Sequence, residues 1–94
     1  MIKVDDGVLK LAGPVTIETH TKWREHGASH IGKSDWIVDW ADVTEVDSSA
    51  LSLMFAWRRD SRAAGKTISN LHLPQNLKAL AELYGVADFV SATQ

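Results

Sequence analysis

The stretch Val43-Thr-Glu-Val-Asp-Ser-Ser-Ala-Leu51 joins a segment with strand character to the most apolar helix candidate of the chain. Asp47, Ser48 and Ser49 are residue types that accept hydrogen bonds from the free N–H groups in the first turn of a helix. A helix is therefore predicted to begin near Ala50. Because a helix N-terminus carries partial positive charge, a phosphate on either serine would lie in a favourable field. A plain helix cap explains the same residues without any regulatory role.

Length and composition are typical of one globular domain. The chain has 94 residues, 45% of them hydrophobic, which is enough for one modest core without disulfides or metal. It has no cysteine, which excludes a disulfide framework, a thiolate zinc site and a cysteine nucleophile. The net charge of −2 gives no bulk attraction to nucleic acid, and the apolar run 50–57 is too short to span a bilayer. We expect a cytoplasmic protein that binds no nucleic acid and does not insert into the membrane.

The first half of the chain shows three strand patterns and one helix pattern. Apolar-rich runs at 2–4 and 8–12, separated by an Asp-Gly pair, predict a hairpin. A helix is predicted from about residue 16 to a glycine at 27 or 32. The β-branched and aromatic run 36–40 predicts a central strand buried on both faces.

The second half continues the alternation. A long helix is predicted from residue 50 to Gly65, a strand over 67–73, and a last helix over 77–84 that ends at Gly85. Strands that alternate with helices indicate an α/β fold with a mixed sheet, parallel crossovers and helices mostly on one side.

The helix that begins near residue 50 is apolar around most of its circumference, because all but one of residues 50–57 are apolar. Leu51 and Phe55 are predicted to pack in the core. The opposite face is predicted to contact a partner protein, because a contiguous apolar patch usually marks an interface. A neighbouring helix of the same domain is the alternative cover. The predicted partner-binding residues are Ala50, Leu53 and Trp57.

No catalytic constellation is recognisable in the sequence. Ser49 lacks the Gly-x-Ser-x-Gly elbow of a hydrolase, and no glycine-rich phosphate cradle is present. His26 and His30 are four residues apart, but Gly27 lies between them and no third metal ligand is near. The acidic residues within 39–47 do not have the spacing of a calcium loop. We therefore expect a binding module without catalytic activity, cofactor or metal.

Four segments together resemble a STAS domain of the anti-sigma factor antagonist type. They are WIVDWADV at 36–43, VDSSAL at 46–51, the Ala-Gly-Lys helix end at 64–66, and LAELYGV at 80–86. The resemblance covers nearly the whole chain. It implies a single STAS domain over residues 1–94, with a mixed sheet of four to five strands and about three helices.

The resemblance also implies roles for the Asp-Ser-Ser element. In regulatory members of the family a partner kinase phosphorylates the second serine, which corresponds to Ser49, and Asp47 matches the neighbouring acidic residue. Ala50 stands where those members usually have glycine. This branch implies an anti-sigma factor antagonist whose partner is an anti-sigma factor serine kinase.

A second branch of the family is similar in length and in the Leu-Ala-x-Leu-Tyr sequence at 80–84. It is the small STAS subunit of Mla-type phospholipid-transport ABC complexes, which binds the cytoplasmic ATPase subunit. In that branch the polar residue directly after the Asp, here Ser48, supports the activity of the complex. The resemblance implies an accessory role in outer-membrane lipid asymmetry. We favour this branch and keep the sigma-factor switch as the alternative.

Overall fold

The computed structural model describes residues 2–88, in which four strands form one sheet and three helices pack against it. The strands are β1 (Ile2–Asp5), β2 (Val8–Val15), β3 (Trp36–Val46) and β4 (Ile68–Leu71), and the helices are α1 (His20–Gly27), α2 (Ser48–Ala63) and α3 (Gln75–Leu83). The predicted α/β fold and its order of elements are confirmed. No helix within this part of the chain combines the length and the hydropathy that a bilayer crossing requires.

The sheet has the order β1-β2-β3-β4 and mixes both pairing directions. β1 and β2 form an antiparallel hairpin, and both turn residues, Asp6 and Gly7, have positive φ, as a tight two-residue hairpin turn requires. β3 pairs in parallel with β2 and with β4, so α1 and α2 are crossover helices. The predicted hairpin and parallel crossovers are both present.

Two strands are longer than the sequence predicts. β2 continues through Gly13 and Pro14 to Val15. Its register against β3 shifts in this stretch, as in a β-bulge. Gly13 adopts a φ of 96° in this irregular stretch, a conformation that glycine tolerates. β3 likewise continues past residue 40 to Val46, alongside the extended part of β2.

α1 begins later than predicted. Residues 16–19 form a turn, closed by a hydrogen bond of 3.0 Å from the Thr19 N–H to the Thr16 carbonyl, and the helix begins at His20. It ends at Gly27, the first of the two glycines that were predicted to end it.

Within residues 2–88, the helices cover one face of the sheet and leave the other open. Leu9, Val38 and Trp40 are buried against the helices, whereas Ile37 and Leu71 are 38% and 42% exposed. The prediction that the strand at 36–40 is buried on both faces is therefore wrong. The strand is apolar on both sides, but the helices pack on only one of them.

α2 lies between α1 and α3 and also contacts β4. The predicted partner-binding face is wrong, because Ala50 and Leu53 are 0% exposed and Trp57 is 2% exposed. The alternative of a neighbouring helix holds, since this face of α2 packs within the domain. Phe55, which was predicted to be core, is only partly buried.

Three tryptophans donate their indole N–H groups to acceptors from other parts of the fold. Trp23 donates to the Pro14 carbonyl (2.9 Å), and Trp36 donates to the His30 carbonyl (2.9 Å). Trp40 donates to Oδ1 of the buried Asn70 at 2.8 Å. Large aromatic side chains therefore fill the core without leaving these donors unpaired.

α1 approaches α2 closely at Gly27, where an added Cβ would lie 2.7 Å from the Trp57 ring. We expect Gly27→Ala to lower the free energy of unfolding by about 1–3 kcal/mol, because the buried ring cannot move aside. The overpacking cost exceeds the gain in helix propensity from replacing glycine with alanine, which is at most about 1 kcal/mol. Urea unfolding measures the change, and Glu25→Ala on the exposed side of α1 is the control. An alanine variant as stable as the parent would show that the two helices are not in this contact.

Candidate functional site

Asp47 lies between the end of β3 and the first residue of α2, and its side chain caps the helix. Its Oδ1 accepts hydrogen bonds from the Ser49 N–H (2.9 Å) and from the Ser49 hydroxyl (2.5 Å). Its Oδ2 accepts from the Ile17 N–H at 2.9 Å, in the segment between β2 and α1. The predicted cap is confirmed, and α2 begins at Ser48, two residues before Ala50. One carboxylate thus joins two segments at the same end of the sheet.

These contacts also set the protonation of Asp47. Partial burial by itself raises the pKa of the Asp47 carboxyl, but the hydrogen bonds from Ser49 and Ile17 and the nearby His20 lower it. The net effect holds the pKa of Asp47 below its ordinary value. The side chain is therefore an anion at neutral pH, placed against the positive end of the α2 dipole.

The two serines of the junction differ in accessibility. Ser48 is exposed, whereas Ser49 is 8% exposed and donates its hydroxyl to Asp47. A kinase that acts on Ser49 would have to displace this hydrogen bond. Phosphorylation of Ser49 stays a prediction. Ser48 offers the accessible hydroxyl at the start of the helix.

The solvent-facing side of α2 includes Asp60, Ala63 and a row of residues spaced four and three apart. We call this row the outer stripe. It consists of Ser48, Ser52, Phe55, Arg59 and Arg62. The row is polar at the start of the helix, aromatic in the middle and basic towards the end. Such spacing places the five side chains on one face of the helix.

Exposed apolar side chains flank the outer stripe near the junction. Leu83 and Tyr84, at the end of α3, are 76% and 57% exposed, and both line a groove with Ser48. Ile17 is 73% exposed and lines a second groove with Ser48 on the side of α1. The Asp-Ser-Ser junction therefore lies among large apolar side chains that are exposed to solvent, as at many protein–protein interaction sites.

The exposed face was missed at the sequence level, although the sequence contains a signal for it. Ser48 and Ser52 are polar residues in an otherwise apolar stretch, and Arg59 follows on the same face. Polar residues that recur at helical spacing in an apolar helix mark the side that faces solvent. Leu83 and Tyr84 follow the helical pattern of the last helix, and no sequence signal distinguishes them from core residues.

His20 lines the same groove as Asp47, Ser48 and Ser49. Neither serine of the junction hydrogen-bonds to a histidine in the part of the chain that the structure describes. Within residues 2–88, no three His, Asp or Glu side chains gather as metal ligands. His72 instead pairs with Asp39 at 2.9 Å, near the end of β4. The arrangement at the junction is that of a capped helix end with an exposed hydroxyl.

Comparisons with known proteins identify the family of this chain. A family model described as "Mlab, STAS domain" matches residues 2–91. The intermembrane phospholipid transport system binding protein MlaB of Haemophilus influenzae is 28% identical over an alignment of 75 residues, and the alignment covers 73% of this chain and 70% of that protein.

Two solved structures share the fold. The anti-sigma factor antagonist SpoIIAA, in its unphosphorylated form, aligns with a TM-score of 0.66 at 14% identity, over 88% of this chain and 81% of its own. A putative anti-sigma factor antagonist from Thermotoga maritima aligns with a TM-score of 0.73 at 15% identity, over 96% and 81% of the two chains. At these identities the similarity establishes the shared fold.

The lowered pKa of Asp47 predicts a pH-dependent contribution to stability. A carboxyl whose folded pKa is lowered stabilises the fold above its unfolded pKa of about 3.9, and this contribution is lost as the pH falls through the folded value. We expect Asp47→Asn to unfold more easily than the parent at neutral pH, by about 0.5 kcal/mol or more, because asparagine still caps but carries no charge.

Urea unfolding at a series of pH values measures this difference in stability. It should begin to shrink as the pH falls below about 4, where the carboxyl of the unfolded chain binds a proton, and should vanish below the lowered pKa of the folded carboxyl. Asp42→Asn, at an exposed position of β3, is the matched control and should have little effect at any pH. A difference that stays constant down to acid pH would contradict a charge-dependent cap.

Proposed function

Since this chain belongs to the STAS domain family, we propose that it is a cytoplasmic accessory subunit of a phospholipid-transport ABC complex, where it binds the ATPase subunit and catalyses no reaction. The similarity to MlaB, whose name describes a binding protein of intermembrane phospholipid transport, supports this choice of system. The observation that carries the proposal is the outer stripe of α2. It places an exposed serine and a central aromatic side chain beside further exposed apolar groups.

Binding fits the junction better than catalysis does. The Asp47 carboxylate is engaged by three hydrogen bonds within the fold, so it is poorly placed to act as a base. The Ser49 hydroxyl already donates to that carboxylate. What remains accessible is Ser48 together with the surrounding apolar surface, and such a surface binds proteins.

Phe55 is the anchor that we assign to this interface. It is partly buried against the core, so its ring is held in place, and it lines grooves on both sides of the stripe. Rigid aromatic residues near the centre of an interface contribute most of the binding energy. Tyr84 borders one of these grooves and extends the apolar surface to α3.

The phosphorylation switch is the second candidate, because a phosphate on Ser49 would break the hydrogen bond between the Ser49 hydroxyl and Asp47. A phosphate on Ser49 would bring about two negative charges next to the Asp47 carboxylate. The cap would then have to rearrange, and the loop held by Ile17 would be affected as well. Phosphorylation at this position would therefore change the surface that a partner meets.

The docking surface can be tested without disturbing the core. Ser52 is exposed in the middle of the outer stripe, so Ser52→Arg should leave the melting temperature unchanged and abolish co-purification with the ATPase subunit of the complex. The bulky charged side chain would stand where the partner has to approach. Ile37→Arg, on the sheet face opposite the helices, is the control and should bind normally. Trp57→Glu should unfold the domain, because Trp57 is 2% exposed.

A Ser52→Arg protein that folds and still binds the ATPase would contradict this surface. The switch is the function if the parent protein, isolated from its host, carries stoichiometric phosphate on Ser49 and if Ser49→Asp weakens binding to a serine kinase. Mass spectrometry of the peptide that contains both serines separates Ser48 from Ser49.

A further inference from the structure

The outer stripe is chemically divided along its length. Its first half presents the small hydroxyl side chains of Ser48 and Ser52, and its second half presents Arg59 and Arg62. Phe55 lies between the two halves. Arg58, one position beside the stripe, joins Phe55, Arg59 and Arg62 in lining a groove at the basic end.

The basic half presents two arginine side chains to solvent, Arg59 and Arg62. The Arg59 side chain is 70% exposed, and its pair with Asp60 at 3.6 Å is itself open to solvent. An exposed pair of this kind contributes little and leaves Arg59 available to another carboxylate. Three arginines within five residues therefore form a positive patch on a chain whose net charge is −2.

The helix dipole does not account for this patch. Basic residues stabilise the C-terminal end of a helix only within its last turn, and of the three arginines only Arg62 lies there. Arg58 and Arg59 lie further from the end at Ala63. Arg59 is thus an exposed charge placed where its benefit to the helix dipole is small.

We propose that the segment of the partner that covers the outer stripe is an acidic amphipathic helix, with carboxylates facing Arg59 and Arg62 and an apolar side chain beside Phe55. This inference rests on the proposed function, because it assigns the partner chemistry of the same surface. The four-and-three spacing of the stripe matches the ridge that one helix offers to another. The guanidinium groups pair with carboxylates in a forked geometry, and the small serines let the partner backbone approach.

An anionic membrane surface is a poorer match for the same patch. Lipid headgroup recognition by basic residues uses clusters of about four to eight lysines or arginines. The negative net charge of the whole chain opposes approach to such a surface. A groove with an aromatic wall also suits a protein side chain better than a headgroup layer.

The first experiment reverses the charge of the stripe and measures affinity for the ATPase subunit by calorimetry. Arg59→Glu/Arg62→Glu should weaken binding at least tenfold and remove most of its dependence on salt between about 50 and about 500 mM NaCl. Lys22→Glu/Arg24→Glu makes the same charge change on exposed positions of α1 and should stay within about twofold of the parent. Arg59→Gln/Arg62→Gln adds no negative charge and should show a smaller loss of affinity. This variant replaces the charge-reversed one if that protein is unstable.

The second experiment uses an 18-residue helical peptide with glutamates on one face and leucines on the other, and a twin peptide with glutamine for each glutamate. Titration into isotopically labelled protein should shift the NMR signals of Phe55, Arg59 and Arg62 with the glutamate peptide and not with its twin. If the parent does not bind the ATPase, the proposed function fails, while this titration still decides the chemistry of the stripe.

Two results would overturn the inference. One is ATPase binding that persists unchanged in both arginine variants, which would leave the proposed function intact and place the partner elsewhere on the surface. The other is the absence of any shift with the glutamate peptide, together with sedimentation on phosphatidylglycerol vesicles that depends on Arg59 and Arg62. That pattern would assign the patch to a membrane surface.

Discussion

The packing of α2 between α1, α3 and the sheet determines which residues of this protein can meet a partner. Trp57 lies against Gly27 of α1, and Ala50 and Leu53 are fully enclosed. Burying these side chains stabilises the domain, because each removes apolar surface from water. The same packing leaves one row of α2 in solvent. The chemical character of that row, from serine through phenylalanine to arginine, follows from the sequence at every third or fourth position.

The Asp47 cap complements this packing at one end of the helix. By accepting from both the start of α2 and the Ile17 N–H, the carboxylate fixes where the helix begins relative to the segment between β2 and α1. Ser48 is held at the exposed first position of α2 as a result. A local electrostatic contact thereby positions the hydroxyl that belongs to the proposed interface.

Patterns within short segments were enough to predict most of the fold. The Asp-Gly hairpin, the Asp47 cap and the order of strands and helices all depend on local backbone preferences. Burial depends on contacts between distant segments and was harder to predict. α2 is apolar in nearly every direction around residues 50–57, so its periodicity did not identify the outer face. Ile37 and Leu71 are apolar on a sheet face that no helix covers, which made β3 look buried on both sides.

In the proposed complex, the outer stripe and the neighbouring end of α3 form the contact surface. Hydroxyl-radical footprinting with and without the ATPase subunit tests this claim directly, because it reports the solvent access of individual side chains. Phe55 and Tyr84 should be protected from oxidation in the complex, while Ile37 and Leu71 on the open sheet face keep their reactivity. Protection of Ile37 and Leu71, with Phe55 and Tyr84 unchanged, would contradict the account and move the interface to the other side of the sheet.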